Sequence, residues 1–558
     1  DCIPGLQVLR FFWDLTAIFS VGGLRVMRFK KARIGSVAGP HPATVKAGMS
    51  VLRQGGNAVD AAVAAGFTEG VVDPHWNGIA GYGGCMVVYI AEKKKVVSVD
   101  YNSRAPQAAS SRMFKIEKAN SPAGYRVPDR ENVIGPKAVG VPGIVAGLCL
   151  ALERFGSMPL AEVIKPAIRS ARYGFEYHLG LRNSAAGMAD VWSERFPETF
   201  RVFLKNGIPP QPGERFKNPD LARTLDAIAE GGPEVFYRGE IGEKIADHIQ
   251  AERGCLSRKD MADYRARVVQ PSKAMYRGYT VYTPPPPAAG LTSLQMLKTL
   301  ECFQVEGLAA AERLHLLAEV MKASWPERLK RYGDPDFLDW NYREELSEEQ
   351  IDKLQKKVRR GLKSPKKGRI LAHEPNSCTS HLSTADADGN MVSLTQTHGG
   401  HFGSMVTVPG TGLVLGHGVA RFDPRPGLAN SIGPCKRPLH NMGPFVVTKG
   451  GQPFASYGIV GGRTIPNNQL SILVNLLDLG MNMEEAIAAP RTHNEGAEPI
   501  QVEQHAGEKV LNEVRKLGHD VQASAGFGGP GHGILFGHDP NLQMSATDPR
   551  NDGRAETA

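Results

Sequence analysis

From residue 34 onward the apolar positions of the chain fall into recognisable periods. In "PATVKAGMSVLRQGGNAVDAAVAAGFTEGVV" they recur at helical spacing. Ala47, Val51 and Leu52 share one face of a first helix, which Gly55-Gly56 ends. Asn57 caps a second helix, and Ala58, Ala61, Ala62 and Ala65 give it a small-residue face for close packing. "CMVVYIAEKKKVVSVDY" reads as two short β-rich runs around a lysine turn. Residues 143–330 are mainly helical by the 3.6-residue spacing, and "YRGYTVYTPPPPAAG" is a strand running into a proline-rich loop. After residue 378 the chain switches to strands. Thr379–Asp386 and Met391–Thr397 flank Asp388-Gly389, a two-residue hairpin signal, and Gly450-Gly451 turns a second hairpin. "NNQLSILVNLLDLGMNMEEAIAAPR" is helical, and "HGILFG" with "LQMSATDP" forms a last strand pair. Helices and antiparallel strands in blocks imply a layered α/β fold with helices packed on sheets. The chain has no fixed-period repeat and no phosphate-binding loop. "GYGG" (Gly81–Gly84) precedes a strand, not a helix, and is no dinucleotide fingerprint.

Composition adds little to this picture: 558 residues, 41% apolar and 22% charged, are ordinary for a large globular protein. The net charge of +9 invites a nucleic-acid reading, but one segment accounts for it. Lys353, Lys356, Lys357, Arg359, Arg360, Lys363, Lys366, Lys367 and Arg369 follow one another with no acid between them, and the remainder is formally neutral. A nucleic-acid-binding domain spreads its charge over a face, so residues 344–377 read as a solvated, mobile basic linker and no nucleic-acid partner is expected. The seven cysteines are scattered without CxxC spacing, which excludes a zinc ribbon or disulfide framework. Residues 1–33 form an extension to which no role is assigned. Its apolar run Phe11–Leu24 is broken by Asp14 and too short to span a bilayer, and no other segment reads as a membrane span. The compartment stays open.

The chemistry concentrates where the basic run ends, in "NSCTSHLSTADADGNMVSLTQTHGGHFGS" (Asn376–Ser404). A hydroxyl is a poor nucleophile without a base beside it. A threonine at a chain terminus carries its own base, the α-amine, whose pKa of roughly 7.7–8.0 leaves a good fraction neutral near pH 7. Cleavage before Thr379 would create that terminus. With Asp388-Gly389 as the loop, Thr379 falls opposite His398, with Thr397 next along, so either side chain could orient its hydroxyl. Gly461-Gly462, after the strand "FASYGIV", is the best candidate for a pair of oxyanion-stabilising N–H groups. Cys378 is a rival nucleophile, if the cut falls one residue earlier. His398-x-x-His401 lacks a third metal ligand, so no metal and no cofactor are expected.

Ordered motifs place these residues in a wider context: "GGNAVDAAVA", "GVPGIVAGL", "KPAIRSARYGF", "FYRGEIGEKIA", "LSRKDMADY", "GDPDF", "TSHLSTADADGNMVSLT", "KRPLHNMGP", "GGRTIP" and "DPRNDGRA". Through them the chain, from about residue 34 to its end, resembles the γ-glutamyltransferases and related acylases among the N-terminal-nucleophile hydrolases. The resemblance implies a four-layer αββα sandwich. It also implies self-cleavage into a large chain, 34–378, and a small catalytic chain, 379–558, possibly paired into a dimer of such units. Carried over by position, Thr379 corresponds to the nucleophile, Thr397 to the residue that hydrogen-bonds it, and Gly461 and Gly462 to the oxyanion donors.

The positions that grip the amino-acid head of a γ-glutamyl substrate in that family depart from its pattern. They hold Asn102-Ser103, Gly399, His417-Gly418, Arg421 and His440-Asn441. A site without partners for a polar head binds that head poorly. An acid that would face an ammonium has become Arg421, and histidines 398, 401, 417 and 440 gather on the same loops. The expected site residues for substrate are therefore Asn102, His398, Gly399, Arg421, His440 and Asn441, in a cationic pocket suited to a small amide with an anionic acyl group. Two alternatives stand beside this reading: a γ-glutamyltransferase or glutathione hydrolase acting on γ-glutamyl amides, and a processed binding protein without catalysis.

Overall fold

The computed structural model describes residues 29–119, 124–365 and 378–558. The run Phe11–Leu24 and the last part of the basic segment, 366–377, lie outside the described residues. Two seven-stranded sheets form the centre. One runs Lys30–Lys31, Leu542–Thr547, Gly531–Phe536, Gln452–Ile459, Phe445–Lys449, Tyr279–Thr283, Ser272–Tyr276. The other runs Arg554–Thr557, Gly35–Gly39, Cys378–Asp386, Met391–Gly399, Gly83–Ile90, Lys95–Tyr101, Arg267–Val269. All neighbours in both are antiparallel. The sheets face each other through Val87, Tyr89, Ala385, Met391, Val446, Ile534 and Phe536. Two hydroxyls stitch the same interface: Ser393 donates to the Tyr457 carbonyl and Ser456 to the Val392 carbonyl, each at 2.8 Å.

Helices Pro42–Arg53, Ala58–Val72 and Ile144–Phe155 cover one sheet, and Gly290–Leu300, Ile465–Leu477 and Met483–Ala488 cover the other. The result is the αββα sandwich expected from the sequence. Asn57 caps the helix Ala58–Val72 in a capping box with Asp60. Every residue of this helix is buried, not only its alanine face, because the helices Pro42–Arg53 and Lys165–Tyr173 pack on its outer side. A helix so enclosed can place polar side chains in the interior, and Thr68 and Glu69 are both there.

Within the expected mobile linker 344–377, the described residues 344–365 are ordered. Glu348–Gly361 is a helix capped by Ser347, with Ile351, Leu354 and Val358 buried. The i, i+3, i+7 spacing of these three was hidden by the charges around them. Two of those charges are solvated ion pairs along the helix, Lys353 with Glu349 and Lys356 with Asp352. Among the described residues no helix is long and apolar enough to cross a membrane.

Candidate functional site

The hairpin that carries the site departs from its expected register. Ala385 pairs with Met391, and Gly389 takes φ 86, so the loop is Ala387-Asp388-Gly389, three residues with a left-handed glycine. That choice moves each partner by one. The pairing then shifts back at the open end: Ser380 faces Gln396 while Cys378 faces Gly399. Thr397 and His398 together oppose the single residue Thr379. This is a β-bulge, a device that re-aims a side chain.

The bulge brings two hydroxyls to one carbonyl. Thr379 Oγ1 and Thr397 Oγ1 each donate to the Cys378 carbonyl oxygen at 2.5 Å. Gly399 N–H donates to Thr397 Oγ1 at 2.7 Å, which leaves the Thr397 proton directed at that carbonyl. Gly399 has φ 95, and a Cβ there would run into the His417 ring. Thr379 and Thr397 are 4% and 1% exposed, so these bonds are shielded from water. His398 does not take the orienting role that its position allowed. Its ring packs against Gly78, and neither ring nitrogen has a hydrogen-bond partner.

Gly461-Gly462 lies across the interface from this hairpin. The strand Gln452–Ile459 crosses the strand Cys378–Asp386 so closely that a Cβ on Gly458 would strike His381, two residues beyond Thr379. Three residues after Gly458, Gly461 takes φ 118 and Gly462 φ 60. The pair opens onto the helix Ile465–Leu477, whose positive end favours an oxyanion. Gly461 must be glycine, because a Cβ would enter the backbone of Gly528-Gly529.

The remaining positions divide into two groups. Arg421 lies beside the seam: its charge acts on the Cys378 thiol and the Tyr82 hydroxyl, and its Nη2 stands 3.4 Å from His417 Nε2. Asn102, His440 and Asn441 form a scaffold. Asn102 Nδ2 donates to the Pro438 carbonyl at 2.8 Å. Arg328 Nη2 donates to the His440 carbonyl at 3.0 Å and to Asn441 Oδ1 at 2.8 Å. His401 turns elsewhere, its Nδ1 2.8 Å from Ser184 Oγ.

Electrostatics corrects the cationic pocket. Burial pulls His398 and His417 down to about 3 and His440 to about 4, so all three are neutral near pH 7. The positive charge is carried by guanidinium groups, Arg421 and the fully buried Arg328. Burial also raises the Cys378 thiol well above its usual range, against Arg421's pull, which removes the thiolate a cysteine nucleophile needs. Sequence reading missed Arg328 and Tyr82. Arg328 sits in a helix with no distinguishing pattern. Tyr82 lies inside "GYGG", and Gly84 there allows the strand to pass directly against Tyr101 and the Thr395 carbonyl. The Tyr82 ring also borders Gly399 and packs with Met442.

Among the described residues two groups of side chains have metal-ligand geometry, Asp73/His75/His178 and His315/Glu319/His519, and neither contains a residue of the seam.

Comparison with known proteins agrees with this architecture. Residues 44–558 match the sequence profile of the family described as Gamma-glutamyltranspeptidase. The chain is 36% identical over 519 residues to the Acylase ACY 1 proenzyme of Pseudomonas sp. (strain SE83), covering 92% of this chain and 91% of that one. It is 32% identical over 544 residues to the Glutathione hydrolase proenzyme of Escherichia coli (strain K12), covering 93% and 91%. The structure of cephalosporin acylase from Bacillus halodurans superimposes with a TM-score of 0.85 at 29% identity, over 98% of this chain and 99% of that one.

Proposed function

Since the chain belongs to the γ-glutamyltranspeptidase family and is a self-processed amide hydrolase or acyltransferase of the N-terminal-nucleophile class, we propose that it cuts itself between Cys378 and Thr379 and then uses Thr379 to hydrolyse a small amide with an anionic acyl group. The observation that carries this reading is the convergence of two hydroxyls on the Cys378 carbonyl at 2.5 Å. In the precursor, Thr379 Oγ1 attacks the Cys378 carbonyl carbon while the Thr397 hydroxyl stabilises the oxygen. The C–N bond breaks, its nitrogen takes the proton given up by the Thr379 hydroxyl and becomes the Thr379 amine, and water hydrolyses the resulting ester to free the Cys378 carboxylate. Thr397, relieved of its carbonyl partner, then orients the Thr379 hydroxyl. The amine accepts the hydroxyl proton during attack on substrate, Gly461 and Gly462 N–H groups hold the oxyanion, and the amine protonates the leaving nitrogen. Water releases the acyl group from the ester.

Arg421 supports the choice of acyl group. A fixed cation beside the seam favours a carboxylate and repels the ammonium of a γ-glutamyl head. Amino-terminal sequencing of the smaller fragment of active protein tests the cut. It is expected to begin at Thr379, and any other start removes the mechanism. The E. coli relative favours a second reading, γ-glutamyl transfer. Turnover of glutaryl-anilide against γ-glutamyl-anilide separates the two, and equal or better use of the γ-glutamyl compound overturns the anionic-acyl assignment.

A further inference from the structure

We propose that Asp73, His75 and His178 form a binding site for a divalent transition ion of the zinc class, separate from the nucleophile. The three side chains line a cavity of about 1060 Å³. Asp73 and His75 come from the turn after the helix Ala58–Val72, and His178 precedes the helix Leu179–Ala186. One ligand atom from each lies within 4.8 Å of the others.

Their hydrogen bonding is incomplete in a directed way. His75 Nδ1 stands 3.7 Å from Asp73 Oδ1, too far for a hydrogen bond, and has no partner although His75 is only 2% exposed. His178 Nε2 lies 2.8 Å from the same oxygen and pairs with it, which raises the pKa of the ring, so a bound metal would displace that proton. Two imidazole nitrogens therefore gather about one carboxylate oxygen, at distances on either side of the roughly 3.3 Å that separates two ligands of a tetrahedral zinc. Two imidazoles and one carboxylate suit zinc, whereas calcium and magnesium take oxygen sets. The cavity leaves the fourth position to water or a ligand. Ligation through Nε2 puts the His178 ring proton on Nδ1, so the long 3.3 Å bond from Leu181 N–H is released on binding.

The second cluster shows what a satisfied arrangement looks like. His315 Nδ1 and His519 Nε2 bond each other at 2.6 Å. The Lys322 ammonium donates to Glu319 at 2.7 Å and to Glu498, and His519 Nδ1 donates to Glu498 at 2.7 Å. Lysine supplies the cation there, and no ion is needed.

The test is titration of tag-free, chelator-stripped full-length protein with Zn²⁺ and, for its visible spectrum, Co²⁺. One Zn²⁺ per chain is expected, with a low-coordinate Co²⁺ spectrum that Zn²⁺ bleaches. His75→Asn and Asp73→Asn are expected to weaken binding by more than the roughly 10- to 100-fold lost when only a ligand's support is removed. His519→Asn should leave it unchanged. Absence of stoichiometric uptake by the wild type, unaltered affinity in both cavity variants, or equal competition by Ca²⁺ overturns the proposal. Should the cavity variants not fold, the wild-type Co²⁺ spectrum decides, and an octahedral, aquo-like spectrum rejects the site.

Discussion

Cys378–Asp386 with Met391–Gly399 is the central hairpin of one sheet, and Phe445–Lys449 with Gln452–Ile459 is its counterpart across the interface. Both turn at glycine and both slip register once. In the second, Lys449 pairs with Gln452, so Gly450-Gly451 is a two-residue loop with φ 57 and 77. Its slip lies close to the turn, between Val447 and Thr448, beside Pro453, which has no N–H to give to the ladder. In the first, the slip lies at the open end, where Thr379 faces Thr397 and His398. A bulge beside a turn settles a local mismatch. A bulge at the open end decides which side chain meets the peptide bond arriving there, and here it selects Thr397 over His398.

Removing the hydroxyl that the bulge serves gives the largest effect. Thr379→Ala should stay as one uncut polypeptide on a denaturing gel and show no amidase activity. A cut, active Thr379→Ala protein would place the nucleophile elsewhere. Thr397→Val comes next, since it keeps the branched shape and loses only the donor to the Cys378 carbonyl. The loss of one such donor costs roughly 10²–10³ in rate, so both processing and turnover should slow by that factor. Thr397→Ser should restore most of both. Unimpaired processing in Thr397→Val would mean the bulge is only a packing feature.

How much of this was legible in the chain depends on where each signal resides. The Gly450-Gly451 loop was readable because both residues take positive φ, a local demand that glycine meets. The Asp388-Gly389 signal was real, yet the length of that loop was not local. Asp386 N–H donates to the Asn390 carbonyl, and the Asp386 carboxylate accepts from Asp388 N–H, Asn390 N–H and Ala58 N–H, the last from another layer. Tertiary contacts thus fixed a three-residue loop. The threonines and glycines of the seam stand out by motif, whereas Arg328 and the Asp73 cluster do not. Each of those joins segments distant in sequence, and no spacing along the chain announces them. The gathering of the histidines is legible in the sequence, but burial sets their protonation and leaves the charge to the guanidinium groups.

That burial predicts a pH dependence. His398 and His417 have folded-state values of about 3, against about 6.5 when unfolded. Below pH 6.5 the unfolded chain takes up protons that the native one refuses, so stability falls as pH drops through this window and is fully present above it. Each such histidine contributes a slope of about 1.4 kcal/mol per pH unit. Denaturant midpoints of His398→Asn between pH 7 and 5 should therefore change less with pH than those of the wild type. Equal slopes would mean the ring is protonated in the fold and adds its charge to those of Arg421 and Arg328.

The smallest effect sharpens the contrast between the two turns. Gly451 has φ 77 and open space where a Cβ would stand, so Gly451→Asn should cost only tenths of a kcal/mol, since asparagine tolerates the left-handed region. Gly389 has φ 86 and Pro540 Cβ at 3.3 Å from the added carbon, tighter than an ordinary contact. Gly389→Asn should therefore destabilise more than Gly451→Asn, by up to about 1 kcal/mol, while leaving cleavage intact. Thermal melts of the two variants compare them directly. Slowed cleavage in Gly389→Asn at unchanged stability would show that the loop length, and not the bulge alone, sets the position of Thr397 against the bond to be broken.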